Sequence, residues 1–297
     1  MKTVFSLIKR NVKLFFKDKG LFFTSLITPA ILLVLYVSFL GDVYKDSFIM
    51  NLPTGLDIPE RLINGLVGDQ LTSSILAVSC VTVAFCSSFL SVNDKSSGVL
   101  KDFLVSPVGS RQLSLGYYVA NLISTLTVCL FAALICLIYV AIMGWYISVA
   151  DLLLLLLDVV LLSLFGTVLA SLINCFLTTQ GQVSAVGTIV SSGYGFISGA
   201  YMPISSFAEG LQVFISFLPG TYGTSLMRNH AMRGGIAELE KEGIPKEAID
   251  SLRDAMDCNL YFFDMKVPEY VMYLILIGAT VLLVAAYLLV NMKRKNR

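Results

Sequence analysis

Six apolar stretches, at about residues 21–40, 70–92, 113–143, 150–178, 181–200 and 269–290, each approach or exceed the roughly 20 residues a helix needs to cross a bilayer. Water-facing helices need a polar side, so a soluble fold has little use for six such runs. The 297-residue chain is 56% hydrophobic and 14% charged, against about 25% charged for an ordinary soluble domain. Lipid offers no partner to a backbone amide, so helices, which bond internally, are the expected spanning elements. The sequence predicts an all-α polytopic membrane protein with six transmembrane helices and both termini on one side. The third and fourth stretches are long enough to tilt.

Lysine and arginine set the orientation. Six basic residues lie in the first nineteen positions, three more (Lys95, Lys101, Arg111) follow the second stretch, and four (Lys293, Arg294, Lys295, Arg297) end the chain. The positive-inside rule assigns these segments to the cytoplasm. The loops 41–69 and 220–268 are then external, and the second is rich in acids. A balanced net charge of +1 argues against a nucleic-acid partner, a role that needs clustered basic surface. The apolar run after the basic N-terminus is too long for a signal peptide and lacks an A-x-A cleavage site, so it is expected to remain as a span. Five cysteines sit in apolar runs as small packing residues and only Cys258 lies in a polar stretch, so no disulfide framework is expected.

Two short segments are amphipathic. In residues 1–20, at about 100° per residue, Val4, Phe5, Ile8, Val12, Phe15 and Phe16 share one arc and Lys2, Lys9, Arg10, Lys13 and Lys17 its neighbour. An interfacial helix with lysines towards membrane lipid fits that pattern, an unstructured basic tail being the alternative. In residues 93–106, Asn93 suits a helix cap, Asp94 the acid-favouring first turn, and Pro107 a stop. Val99, Leu100, Phe103 and Leu104 share a face, with Asp94, Lys101 and Asp102 elsewhere. Such knobs in a charged rim suit a partner-binding surface; lying flat on the membrane is the competing expectation.

The run LKDFLVSPVGSRQLSLG (100–116), preceded by Gly98, resembles the signature of ABC-type-2 exporter permeases, whose loop after the second span carries a glycine, an apolar pair and SPV before LG. SGAYMPISSFAEGLQVFISFLPGTYGTSLMR (198–228) is similar to the family's small-residue and proline turn, short re-entrant helices, P-x-T-Y element and arginine. There are two departures: Asp94 and Lys95 stand where the family often has Arg or Glu, and a usual second proline is missing around 207–210. The resemblance implies a bacterial cytoplasmic membrane, a second permease copy, identical or related, and a twelve-span pathway. It implies two copies of a separate ABC ATPase subunit that bind ATP and Mg, with no catalytic site, metal or cofactor in this chain, which has no G-x-x-x-x-G-K-[ST]. Residues 93–106 become the coupling helix, with Asp94, Lys95, Gly98, Leu100, Lys101, Asp102, Phe103 and Leu104 at the ATPase and Phe103 and Leu104 as its grip. Residues 200–219 become a re-entrant element, with Tyr201, Pro203 and Pro219 at an external gate.

The fifth stretch repeats small residues at Gly187, Ser191, Gly195 and Gly199, which lets another backbone approach, leaves room for a ligand, or packs within the chain. Tyr194 and Phe196 flank this expected seam. Asp158 lies on the same helix face as Asp151, about 10 Å deeper, and either binds a cation or proton or makes a structural hydrogen bond. His230, the one histidine, has no clustered acids or cysteines around it in sequence and makes a poor metal ligand. Residues 236–256 read as two short solvated helices with Pro245 in the first turn of the second. The leading expectation is an exporter of a hydrophobic or amphipathic substrate, such as a drug, antimicrobial peptide or lipid. A polysaccharide exporter would show an aromatic belt along the seam, and an ion-coupled transporter or channel would show inverted repeats or several buried ionisable residues, where only Asp158 stands out. A membrane sensor or scaffold is a further alternative.

Overall fold

The computed structural model describes residues 2–51, 58–105, 108–263 and 265–294. Helix α1 (Lys2–Lys17) buries Leu7, Asn11 and Phe15, four residues apart, and leaves Phe5 and its lysines exposed. Asp18 caps α2 (Lys19–Leu35) by accepting the Leu21 N–H at 3.0 Å. A π-helical turn, Tyr36–Leu40, continues into α3 (Gly41–Asn51), so the start of the expected loop 41–69 is helix. Residues 52–57 of that loop lie outside the described residues. Helix α4 (Glu60–Ser87) begins well before residue 70 and is buried almost throughout. This corrects the loop boundary and draws Asp69 inside the protein.

After Ser88 come α5 (Phe89–Ser96) and α6 (Val99–Val105). The single helix expected at 93–106 is therefore two, broken where Gly98 takes φ +84°, a conformation glycine adopts at no steric cost. Pro107 lies outside the described residues. Helices α7 (Ser110–Met143) and α8 (Val149–Phe176) form a hairpin. α9 (Gln180–Ile197) ends in a turn at Gly199 (φ +71°), followed by a 3-10 turn, Ile204–Ser206, and α10 (Glu209–Ser216). Then come α11 (Pro219–Lys241), α12 (Lys246–Ala255), the antiparallel pair β1 (Leu260–Phe262) and β2 (Met265–Val267), and α13 (Glu269–Arg294). Pro245 caps α12 from outside rather than sitting in its first turn. The small hairpin was not foreseen.

The chain is an all-α polytopic membrane protein. Among the described residues, five helical stretches are long and apolar enough to cross a membrane: Lys19–Met50, Glu60–Ser96, Ser110–Met143, Val149–Phe176 and Glu269–Asn291. The stretch expected as the fifth of six spans forms helix α9, which is not among these five because its glycines, serines and glutamines dilute its hydropathy. At the centre, α4 packs against α2, α7, α8, α9 and α11. Between apolar helices in lipid, close van der Waals packing replaces the hydrophobic drive. Gly166 of α8 supplies such a contact, since a Cβ there would lie 2.8 Å from the Cys80 carbonyl oxygen of α4.

The largest departure from expectation is α11, which occupies what was read as external loop. It is buried among α4, α8 and α13. Gly223 abuts Leu162, near the middle of α8, whereas Gly234 abuts Tyr146 before α8 begins. α11 thus runs alongside α8 from near its middle to beyond its first residue. A Cβ at Gly234 would fall 1.8 Å from the Tyr146 carbonyl oxygen, so only glycine lets the helix pass. Hydropathy misses α11 because protein, rather than lipid, surrounds it and satisfies its polar groups.

Candidate functional site

The corner between α4 and α7 holds the residues expected to meet an ATPase. Asp94, in α5, is buried, and Arg10 of α1 donates to its oxygens at 2.7 and 3.3 Å while the Tyr117 hydroxyl of α7 donates at 2.6 Å. The bond to Asp94 holds the Arg10 guanidinium above its ordinary pKa, against the opposing effect of burial. The same guanidinium lies 5.2 Å from the centre of the Phe103 ring in α6, within cation–π range. Lys95 reaches the other way and donates to the carbonyls of Asn174 (2.6 Å) and Leu177 (3.5 Å) at the end of α8.

Asp94 and Lys95 are therefore struts that tie α5 to α1, α7 and α8. Phe103 is half-buried beneath Arg10, and Leu100 is half-buried behind the corner. Gly98 makes the bend. What projects is Asp102 and, 89% exposed, Val105. Lys101 and Leu104 fall on α6, and their side chains lie outside the described residues.

The small-residue face of α9 points into its own chain. Gly187 lies against the Phe89 ring at ordinary contact distance; a Cβ on Gly195 would meet the Tyr201 ring at 2.2 Å, and Gly199 turns against Ile204. Tyr194 is buried, with Gly220 making room for its hydroxyl. The outer part of the stripe contributes to a groove. Ser191, Phe196 and Tyr201 join Ile31 of α2 and Tyr36 of the π-helical turn around an apolar space of about 500 Å³. Phe196 and Tyr201 meet edge to face, 5.1 Å apart. Pro203 precedes the 3-10 turn and Pro219 is the first residue of α11, the position where its missing N–H costs nothing.

Sequence reasoning missed the ionic network along α11. Asp158 is buried and fully engaged: His230 Nδ1 lies 2.5 Å from Oδ2 and the Tyr273 hydroxyl of α13 donates to Oδ1 at 2.7 Å. The second His230 nitrogen is 3.9 Å from Glu269, and Arg233 donates to Glu269 at 2.8 Å and to Asp151 at 2.9 Å. Nearer the start of α11, Arg228 is 1% exposed and donates to Asp257 (3.3 Å), Ser74 of α4 (3.2 Å) and the Gly199 carbonyl (2.9 Å). Burial raises the Asp257 carboxyl to about 6, partly offset by Arg228 and by the Ile204 N–H it accepts. The available signal was helical spacing: Thr221, Thr224, Ser225 and Arg228 recur every three or four residues after a proline.

Asp69 was also missed, because it fell at the edge of the expected loop. It is fully buried, and neither carboxylate oxygen has a partner among the described residues.

Long apolar helices and a bent amphipathic corner strapped to an N-terminal helix describe an integral membrane protein. The sequence model of the ABC-2 type transporter family matches residues 2–231, and the chain belongs to that family. The match ends inside α11, so α12, the hairpin and α13 lie beyond it. No curated protein matches the sequence. The chain is an ABC permease subunit, a transport rather than a catalytic domain, and the family generally works with an ATPase subunit.

Proposed function

We propose that this chain is the membrane half of an ATP-driven exporter for hydrophobic or amphipathic molecules, seated in the bacterial cytoplasmic membrane with both termini inside. Two copies of a separate ATPase bind ATP and Mg and press on the α5–α6 corners of two permease copies, identical or related. The observation that carries this reading is the strapping of the corner. Asp94 to Arg10 and Tyr117, Phe103 to Arg10, and Lys95 to the end of α8 connect one projecting segment to three elements at once. A displacement of α6 then moves α1, α7 and α8 together, and rigid elements with two arrangements are what alternating access requires. Val105 and Asp102, rather than Phe103, make the grip.

The groove between α2 and α9, lined by the paired rings of Phe196 and Tyr201, supports an apolar substrate. Ion coupling calls for buried ionisable groups; Asp158, His230, Arg228 and Asp257 are such groups and are paired with neighbours inside the protein, while Asp69 is buried without a partner among the described residues, so Asp69→Asn, which should leave an exporter's transport intact, tests that alternative. The test is co-purification with a candidate ABC ATPase subunit co-expressed with this chain. Val105→Asp should abolish capture while leaving membrane insertion intact, and Asp94→Asn should retain capture but lower substrate-stimulated ATP hydrolysis several-fold. Full capture and transport by Val105→Asp would refute the assignment of the grip.

A further inference from the structure

Behind the α5–α6 corner lies a partly open cavity of about 320 Å³, lined by α1, α4, α5, α6, α7, α8 and α13. That volume is at the lower end for small-molecule sites. Its wall combines apolar side chains such as Phe15 and Leu113 with serine hydroxyls and amides, and no acid among the described residues lines it. Three lining amides are buried and incompletely bonded. Asn11 (2% exposed), Asn121 (6%) and Asn174 (1%) leave unpartnered Nδ2, Nδ2 and Oδ1 atoms respectively. Buried amide atoms normally have partners, and each one left without costs roughly 1–3 kcal/mol. The one cationic lining group, Lys95, is engaged by the Asn174 carbonyl at 2.6 Å.

We propose that this cavity binds the uncharged, hydroxyl- or amide-bearing head of an amphiphile, with the unpaired amide atoms as its donors and acceptor. A cationic head finds no carboxylate here, and an anionic one finds only an ammonium already committed. Lys95 and Leu100 belong to both the cavity wall and the corner, so a ligand bound there braces α5 and α6 against α7. This second step rests on the exporter reading, in which that corner meets the ATPase; the binding step does not.

The test uses the full chain alone, in phosphatidylcholine nanodiscs, with octyl β-glucoside below its micellar concentration as probe and decyltrimethylammonium as cationic control. The glucoside should bind saturably and slow backbone amide exchange in residues 89–105. Ser171→Leu, which shrinks the cavity, and Asn121→Ala, which removes a donor, should each weaken it at least tenfold while keeping helical content by circular dichroism. Equal glucoside binding by wild type and both variants, tighter binding of the ammonium, or water alone in the cavity would overturn the proposal. Binding without slowed exchange would overturn the bracing step. Failure of ATPase capture in the separate co-purification would leave the binding result standing.

Discussion

The ionic clusters at the two ends of this bundle use the same residue types for opposite purposes. At the corner, Arg10 is about a third exposed and serves Asp94, Asn11 and the Phe103 ring, joining elements that lie on the bundle's surface. At the far end, Arg228 is sealed, and its partners come from α4, the turn after α9 and the segment after α12. The corner pair, with Asp94 buried but Arg10 about a third exposed, is partly screened by water and is worth about 1 kcal/mol. A sealed one is costly to form and far costlier to break, because the survivor becomes an unpaired buried charge. The corner is therefore a joint that can yield, and the far end a lock.

The largest effect should follow from opening the lock. Arg228→Met strands Asp257 and should cost about 3–5 kcal/mol, seen as a large drop in the unfolding midpoint of the detergent-solubilised protein. Because the Asp257 carboxyl sits at about 6, the loss should be greater at pH 7.5, where the carboxyl is charged, than at pH 5, where it is mostly protonated. An unchanged midpoint at both pH values would mean that the far end is not locked by this pair.

Next in size is the pH dependence of the wild type. Asp257 is held at about 6, above the ordinary 3.8, so the folded protein keeps this proton more tightly than the unfolded chain. Its contribution to stability is complete below about pH 4, fades as pH rises towards 6, and is gone above, an upper limit of about 3 kcal/mol. Asp257→Asn should flatten that slope. A wild-type midpoint that rises across pH 4–6, with the same rise in Asp257→Asn, would contradict the assignment.

The contrast also explains what could be read from the sequence. The apolar spans were legible because lipid demands continuous hydrophobic composition, and α1 because one arc of its surface is apolar. The corner was legible as an amphipathic segment, but its wiring was not: sequence alone does not say that Asp94 faces Arg10, 84 residues away. α11 was illegible because a helix wrapped in protein needs no apolar run. Its Arg228 and His230 look like loop residues until Asp257 and Asp158 are placed beside them. Gly98 was visible as a residue, while the positive φ that splits the coupling segment was not.

A third measurement compares the clusters directly. Asp94→Asn should lower the midpoint by the equivalent of about 1 kcal/mol, since the amide oxygen can still accept from Arg10 Nη1 and the Tyr117 hydroxyl, only the longer Arg10 Nη2 bond loses its acceptor, and water screens Arg10. Raising salt from about 0.15 to 1 M shortens the screening length from about 8 to 3 Å. The difference between wild type and Asp94→Asn should shrink accordingly, whereas that between wild type and Arg228→Met should not. Equal salt sensitivity at the two ends would erase the distinction between joint and lock.

The smallest effect concerns the bend itself. A Cβ at Gly98 meets nothing within 4 Å, so any penalty there is backbone strain at φ +84° alone. Gly98→Ala should cost about 1 kcal/mol, and Gly98→Asn less, because asparagine tolerates the left-handed region better than other residues with a side chain. Gly181, equally open but with no positive φ, is the control, and Gly181→Ala should stay within about 0.5 kcal/mol. If α5 and α6 are two struts meeting at a fixed angle, Gly98→Ala should also speed amide exchange in residues 89–105 without touching α11. Exchange unchanged in Gly98→Ala, with stability equal to that of Gly181→Ala, would mean that the corner does not depend on its bend.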